Sequence, residues 1–279
     1  MNLYTIETGN FKLDGGAMHG VVPKSLWQKF NPADENNLCS WAMRCLLVEV
    51  DNRRILIDTG IGDKQNEKFF SHYYLHGEAT LDKSLNDIGL TTDDITDVFL
   101  THLHFDHVGG AIKREGEKLI PTFKNAIYWS NEKHWGWATQ PNDREKASFL
   151  RENIFPIQDS SQLKFIPNVE EYEFAPGFKV KFVNGHTESM MLPFLNYKGN
   201  NILYCADLLP SVAHLPIPWV MAYDTRPLLT LEEKALLIPQ AMENKWLLYF
   251  EHDAHNEMCN LINTDKGIRM ENSFKLTDL

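Results

Sequence analysis

Residues Thr101–Gly110 read THLHFDHVGG, directly after the apolar run DVFL at Asp97–Leu100. Three histidines and an aspartate, His102, His104, Asp106 and His107, fall within six positions. Most histidines in a globular chain are isolated, as surface groups or hydrogen-bonded core groups. Four candidate ligands spaced i, i+2, i+4 and i+5 do not fit that description. On an extended segment, residues two apart point to the same side, so His102 and His104 share one edge. Asp106 and His107 follow one turn later, where the spacing predicts the start of a helix, and Gly109 and Gly110 allow that start to pack tightly. Imidazole nitrogen with carboxylate oxygen suits Zn, Fe, Mn or Co better than Ca or Mg.

The rest of the chain repeats the pattern. The strand-like VKFVNG is followed by His186, NILYCA by Asp207, and WLLYFE by His252. Each further candidate thus sits at the carboxyl end of an expected strand, where α/β proteins build their sites. Alone, His186 or His252 could bond the backbone, and Asp207 could cap a loop or helix. His255 in EHDAH competes with His252, which is preferred because it directly follows the strand. Together these residues make five histidines and two aspartates, enough for two ions sharing one carboxylate.

With 279 residues, 43% hydrophobic and 23% charged, the composition is that of a folded soluble protein with a substantial core. A net charge of −11 argues against nucleic acid as the main partner, since phosphate binding needs a basic surface. A small neutral or apolar substrate fits better. Cys39, Cys45, Cys205 and Cys259 form no CxxC pair and read as buried reduced thiols. No basic leader with an apolar core opens the sequence and no apolar run reaches membrane-spanning length. The expectation is a cytoplasmic enzyme without membrane partners.

No linker or low-complexity tract divides residues 1–279, so one domain is expected. SWAMRCLLVEVDNRRILIDTG reads as two strands joined at DNR; LDKSLNDIG reads as a helix stopped by Gly89. NAIYWS, GFKVKFV, NILYC and WLLYF read as strands. Thr230 with Glu233 three residues on reads as a capping box opening a helix. Strands alternating with helices imply an α/β, layered architecture. The polar, aromatic-rich stretch from about 131 to 161 reads as a helical insertion, either a surface pair or a lid over a pocket. Met18, Val21, Trp27 and Phe30 read as packing residues, His72, His76, His134 and His214 as solvated or structural, and Glu188 as exposed.

HLHFDH matches the H-x-H-x-D-H hallmark of the metallo-β-lactamase superfamily, and the resemblance runs from ILIDTG to FEHD. It implies an αββα sandwich with the ions at one edge. His102, His104 and His186 would hold one ion and Asp106, His107 and His252 the other, with Asp207 bridging and Asp58 hydrogen-bonding beside them. FKLDGGAMHGVVPKSLW and CADLLPSVAHLPIPWVMAYD are similar to segments of the branch holding N-acyl-homoserine lactonases and methyl parathion hydrolase. The first matches that branch's N-terminal loop. The second places Tyr223 where it can reach a substrate oxygen. The resemblance implies hydrolysis of an ester-like bond by a hydroxide between two divalent ions, zinc by preference, with Asp106 moving the proton. It also allows a homodimer. Thioester or phosphotriester hydrolysis, and a mononuclear iron dioxygenase, are the alternatives. Two departures stand out: Ser189 in GHTESM lies where the family commonly has glycine, and His19 falls in a usually apolar loop.

Overall fold

The structure, a computed structural model, describes residues 1–279. Its first long strand, β1 (Asn2–Asp14), was not evident from the sequence and takes in Phe11–Asp14 of the expected N-terminal loop. β2 (Leu38–Val50) and β3 (Arg53–Ile57) form the expected hairpin. Asp51 and Asn52 turn it with positive φ of 47° and 62°, the handedness that matches strand twist. β4 (Asp97–Phe99) follows, then a small separate hairpin of β5 (Ile112–Glu115) and β6 (Lys118–Pro121), then β7 (Ile127–Ser130) and β8 (Leu163–Phe165). One sheet has the order β1-β2-β3-β4-β7-β8. β9 (Tyr172–Ala175), β10 (Phe178–Val183), β11 (Met190–Tyr197), β12 (Asn200–Tyr204), β13 (Leu247–Tyr249), β14 (Met258–Thr264) and β15 (Gly267–Phe274) make the other, in the order β15-β14-β13-β12-β11-β10-β9.

Alternation along β2 explains the layering. Leu46 and Val48 enter a core shared with Val180, Leu192, Leu203 and Leu248 of the second sheet. Cys45 and Leu47 point the other way, into a core with Val98, Trp135, Ile154 and Ile157. A strand apolar on both faces is one covered on both sides. Helices Glu132–Thr139 and Arg151–Asp159 supply that outer cover, so much of the 131–161 segment is core packing. Leu237, Ile238 and Ala241 of helix Pro227–Glu243 pack with the second sheet. The result is the mixed α/β sandwich that the resemblance implied. No helix is long and apolar enough to cross a membrane.

Two expectations fail here. Thr230 does not open its helix: Pro227, with φ preset and no N–H to lose, starts it, and Thr230 lies buried one turn inside. Val21 is not a packing residue but fully exposed, whereas Met18 and Trp27 are buried as expected and the half-exposed Phe30 packs edge-on against Trp219 at 5.6 Å.

β3 runs parallel to β4, and β12 to β13, so within each pair the carboxyl ends lie on one edge. Asp97 anchors the start of β4. Arg53 donates to its two oxygens at 3.0 and 2.7 Å, Thr96 Oγ1 at 2.6 Å and Trp129 Nε1 at 2.8 Å. Burial pushes this carboxyl up, but those donors win and hold it below the usual aspartate range. Its pair therefore stabilises the fold fully above the unfolded pKa and loses that contribution as pH falls through the native value. Because Arg53 is 30% exposed, Asp97→Asn should cost about 1–3 kcal/mol at neutral pH rather than a fully buried pair's 3–5. Urea unfolding should show the gap closing as pH falls below the usual aspartate range; an unchanged gap would refute the ion-pair account.

Candidate metal centre

Four strand ends deliver the candidate ligands. β4 ends at Phe99, β10 at Val183, β12 at Tyr204 and β13 at Tyr249; His102, His186, Asp207 and His252 each stand three residues further on. His104 and the short helix Phe105–Val108 carry the rest of the motif. The tight packing expected after it is present: a Cβ on Gly109 would lie 2.1 Å from Ile61 O. Backbone bonds close the two sheets at this edge, from Ala42 N to His252 O and Arg44 N to Glu251 O, both 3.0 Å, and from Met191 N to Thr101 O at 2.9 Å.

The seven residues converge in two groups. His102 Nε2 and His186 Nε2 each lie 3.1 Å from His104 Nδ1, and His186 Nε2 is 3.1 Å from Asp207 Oδ2. His107 Nε2 and His252 Nε2 are 3.1 Å apart, and Asp106 Oδ2 is 3.9 and 3.7 Å from them. Asp207 Oδ1 turns to this second group, 3.0 Å from His252 Nε2 and 3.5 Å from His107 Nε2. All seven side chains are buried.

Each imidazole is oriented by its outer nitrogen. His186 Nδ1 donates to Asp224 Oδ1 at 2.9 Å, and His252 Nδ1 to Ala42 O at 2.8 Å. His102 Nδ1 lies 3.1 Å from Thr101 Oγ1, whose own proton goes to Asp58 Oδ2 at 2.6 Å. His104 Nε2 faces Glu145 Oε1 at 3.4 Å. His107 Nδ1 is 3.1 Å from both Asp58 Oδ2 and Glu251 Oε2. With protons on the outside, neutral imidazoles here would aim their inner lone pairs at one another. Asp207 Oδ1 is likewise buried with no hydrogen bond. Lone pairs facing lone pairs in a dry site call for cations, and carboxylate- or carbonyl-bonded imidazoles are the usual metal-ligand arrangement.

Charge tells the same story. Burial pushes imidazoles down, and it holds His102 and His104 below their ordinary value. For His186 and His252 burial is overcome, chiefly by the Asp207 carboxylate, which raises them to about 10 and about 9. Without an ion, the carboxylates recruit protons instead. Glu251, beside Asp58 and fully buried, is itself pushed up to about 8 by desolvation.

A cavity of about 340 Å³ opens onto His104, Asp106, His186, Asp207 and His252. Leu13, Met18, Tyr73, Phe105 and Met221 supply apolar walls, and Arg144 and Ser148 of the 131–161 segment also line it. Tyr223 stands on the same wall, 40% exposed. A larger groove of about 980 Å³, around Lys64, His76 and Arg114, touches none of the candidate ligands.

The remaining histidines have other work. His134 accepts from Leu103 N at 2.9 Å and donates to Glu188 O at 2.6 Å, so it holds the backbone between His102 and His104. His214 bridges Ser211 Oγ and Met18 O, and His76 pairs with Ser40 Oγ; His72 and His255 are exposed. Glu188 is not merely exposed, since it accepts from Arg226 at 2.7 Å. Sequence reading missed Glu145, Asp224, Glu233 and Glu251. Glu233, read as a helix cap, accepts from Asn184 N and Gly185 N at 2.6 and 3.1 Å and so positions the His186 loop. Only the adjacency of Asp224 to Tyr223, and of Glu251 to His252, hinted at these roles.

Comparison with known proteins adds four findings. Residues 44–249 match the family model described as the Metallo-beta-lactamase superfamily. An N-acyl homoserine lactonase of Bacillus cereus is 23% identical over 270 residues, covering 91% of this chain and 94% of that protein. Among solved structures, a probable metal-dependent hydrolase from Staphylococcus aureus superposes with a TM-score of 0.87 at 29% identity, covering 98% of each chain. AidC, a dizinc quorum-quenching lactonase in complex with a product, superposes at 0.79 with 21% identity, covering 98% of this chain and 95% of its own.

Ion uptake by the ion-free protein near neutral pH should release protons, because His186 and His252 are held protonated there. Affinity should therefore fall as pH drops. Isothermal titration in buffers of different ionisation enthalpy reads this directly; uptake with no proton release would refute the account.

Proposed function

Because this chain belongs to the metallo-β-lactamase superfamily and is a metal-dependent hydrolase, we propose that it opens an ester-like bond, in a lactone or another small carboxylic ester, at a centre of two divalent ions. The observation that carries this reading is Asp207, whose two oxygens face two separate groups of histidines. His102, His104 and His186 would hold one ion, Asp106, His107 and His252 the other, and Asp207 both. Zinc suits these donors, and Fe, Mn or Co would be accepted by the same set. When bound, such ions supply Lewis acidity and a water whose pKa is brought down to ~7.

The chain's own residues do the rest. Asp106 lies at the cavity floor, where a carboxylate can take the water's proton and pass it to the leaving oxygen. The Tyr223 hydroxyl, on the cavity wall, donates to the oxygen that gains charge as the carbonyl is attacked. Leu13, Met18, Tyr73, Phe105 and Met221 exclude water and favour a substrate with an apolar portion. Relatives named N-acyl homoserine lactonases span nearly the whole chain, which supports a lactone over a phosphotriester or thioester. Four buried cysteines without a disulfide fit a reducing, cytoplasmic setting.

The test is proton release on adding a long-chain N-acyl-homoserine lactone to protein loaded with two ions. Turnover should be abolished by a chelator and by His104→Ala, and Tyr223→Phe should lower kcat by ~10²–10³. No turnover by protein shown to hold two ions would overturn the lactone assignment; phosphotriesters, aryl esters and thioesters would then be assayed in that order.

A further inference from the structure

The turn between the two helices of the 131–161 segment reaches only one of the two ligand groups. Glu145, 3% exposed, has its Oε2 held by Trp137 Nε1 at 2.6 Å and Asn142 Nδ2 at 2.7 Å. That leaves Oε1 for His104 Nε2, at 3.4 Å, the long end of hydrogen bonding. Asn142 Oδ1 shapes the turn by accepting from Arg144 N and Glu145 N at 2.9 and 3.1 Å. The neighbouring Arg144 crosses the cavity wall in the other direction. Its guanidinium donates to Ala222 O and, at 3.1 Å, to Asp224 O. Asp224 is the carboxylate that holds His186 Nδ1. Two adjacent residues thus grip His104 directly and His186 through Asp224. Phe149 closes the turn with its ring 4.9 Å from the His104 ring.

The second group is supported from elsewhere. His107 leans on Asp58 and Glu251, and His252 on Ala42 O. Nothing from residues 142–149 makes a hydrogen bond to Asp106, His107 or His252.

Resting on the two-ion reading above, we infer that the 142–149 turn is a positioning brace for one ion only, with Glu145 orienting His104 and Arg144 seating Asp224 against His186. The brace gives the two positions unequal affinity, so the segment read as either a surface pair or a lid acts on the metal layer beneath it. Outer-layer carboxylates of this kind set the tautomer and direction of a ligating imidazole, and losing one typically weakens binding by ~10–100-fold.

The experiment is a cobalt(II) titration of the ion-free full-length chain, followed by visible absorption and by competition with a chelator. Wild type, Glu145→Gln, Glu145→Ala, Arg144→Gln and Trp137→Phe are compared, with melting of the ion-free proteins as the fold control. Expected is a loss of ~10–100-fold at one ion in Glu145→Gln, a smaller loss at the same ion in Arg144→Gln and Trp137→Phe, and the other ion unchanged. The ion that stays should carry the spectrum that His102→Ala gives with one cobalt. If the alanine variant fails to fold, the near-isosteric glutamine variant carries the test. Equal weakening of both ions, or none, in a variant with wild-type melting overturns the brace. Wild type binding fewer than two ions would instead overturn the two-ion reading beneath it.

Discussion

Five imidazoles and two carboxylates share a space that water barely reaches, and this crowding is the constraint on which the architecture depends. Buried polar groups are tolerable only when each has a partner. The outer nitrogens find theirs in Thr101, Asp224, Glu145, Ala42 and the Asp58–Glu251 pair, drawn from both sheets and the segment between helices. The inner nitrogens do not, apart from the carboxylates, and it is this imbalance that suits the centre to cations. Arg44 helps hold the edge together: Nη1 donates to Phe250 O and Asp253 O at 2.9 and 3.0 Å, tying β2 to the His252 loop.

Helix Pro227–Glu243 is a second organiser. Its consecutive residues Glu233 and Lys234 point to different loops. Glu233 accepts from the backbone just before His186, while buried Lys234 donates to Pro216 O, Ile217 O and Trp219 O at 3.0, 3.2 and 2.7 Å. The latter loop leads to Met221, Tyr223 and Asp224, so one turn of helix steadies both the ion layer and the cavity wall. Burial lowers the Lys234 ammonium to about 7, yet three carbonyls remain aimed at it. Gly185 is part of the same fit, since a Cβ there would lie 2.4 Å from Thr230 Oγ1.

The departures from the family pattern also have physical accounts. Ser189 adopts φ +52°, the left-handed conformation that favours glycine. It is held there by its N–H bond to Asn184 Oδ1 at 3.0 Å and by Asn131 donating to its carbonyl at 2.9 Å. His19 sits in an aromatic stack, 5.1 Å from Trp27 and 4.9 Å from His214, where burial keeps it neutral with a pKa near 4. It therefore serves in that loop much as an apolar ring would.

Ligand chemistry and strand periodicity are local properties, and they were legible in the sequence. HLHFDH announced a candidate metal centre, β2 and β3 showed their hairpin at DNR, and His186, Asp207 and His252 stood out as candidate ligands by following apolar strands. What stayed hidden depended on distance in space. β1 was obscured because an edge strand alternates weakly between core and solvent. Thr230 and Glu233 matched a capping pattern, but Pro227 starts the helix earlier and frees Glu233 for a loop some fifty residues away in sequence. Val21 is apolar by type yet exposed, since side-chain chemistry does not say which way a turn between two short helices directs it. The sequence by itself determined which atoms could bind ions and on which strand ends they sit. Only the tertiary structure decided that Asp207 faces both groups, that each histidine has a fixed outer partner, and that Arg144 and Glu145 serve one group alone. The reason is physical: ligand type is a property of a single side chain, whereas orientation in a dry site is set by hydrogen bonds between segments that meet only after the sheets close.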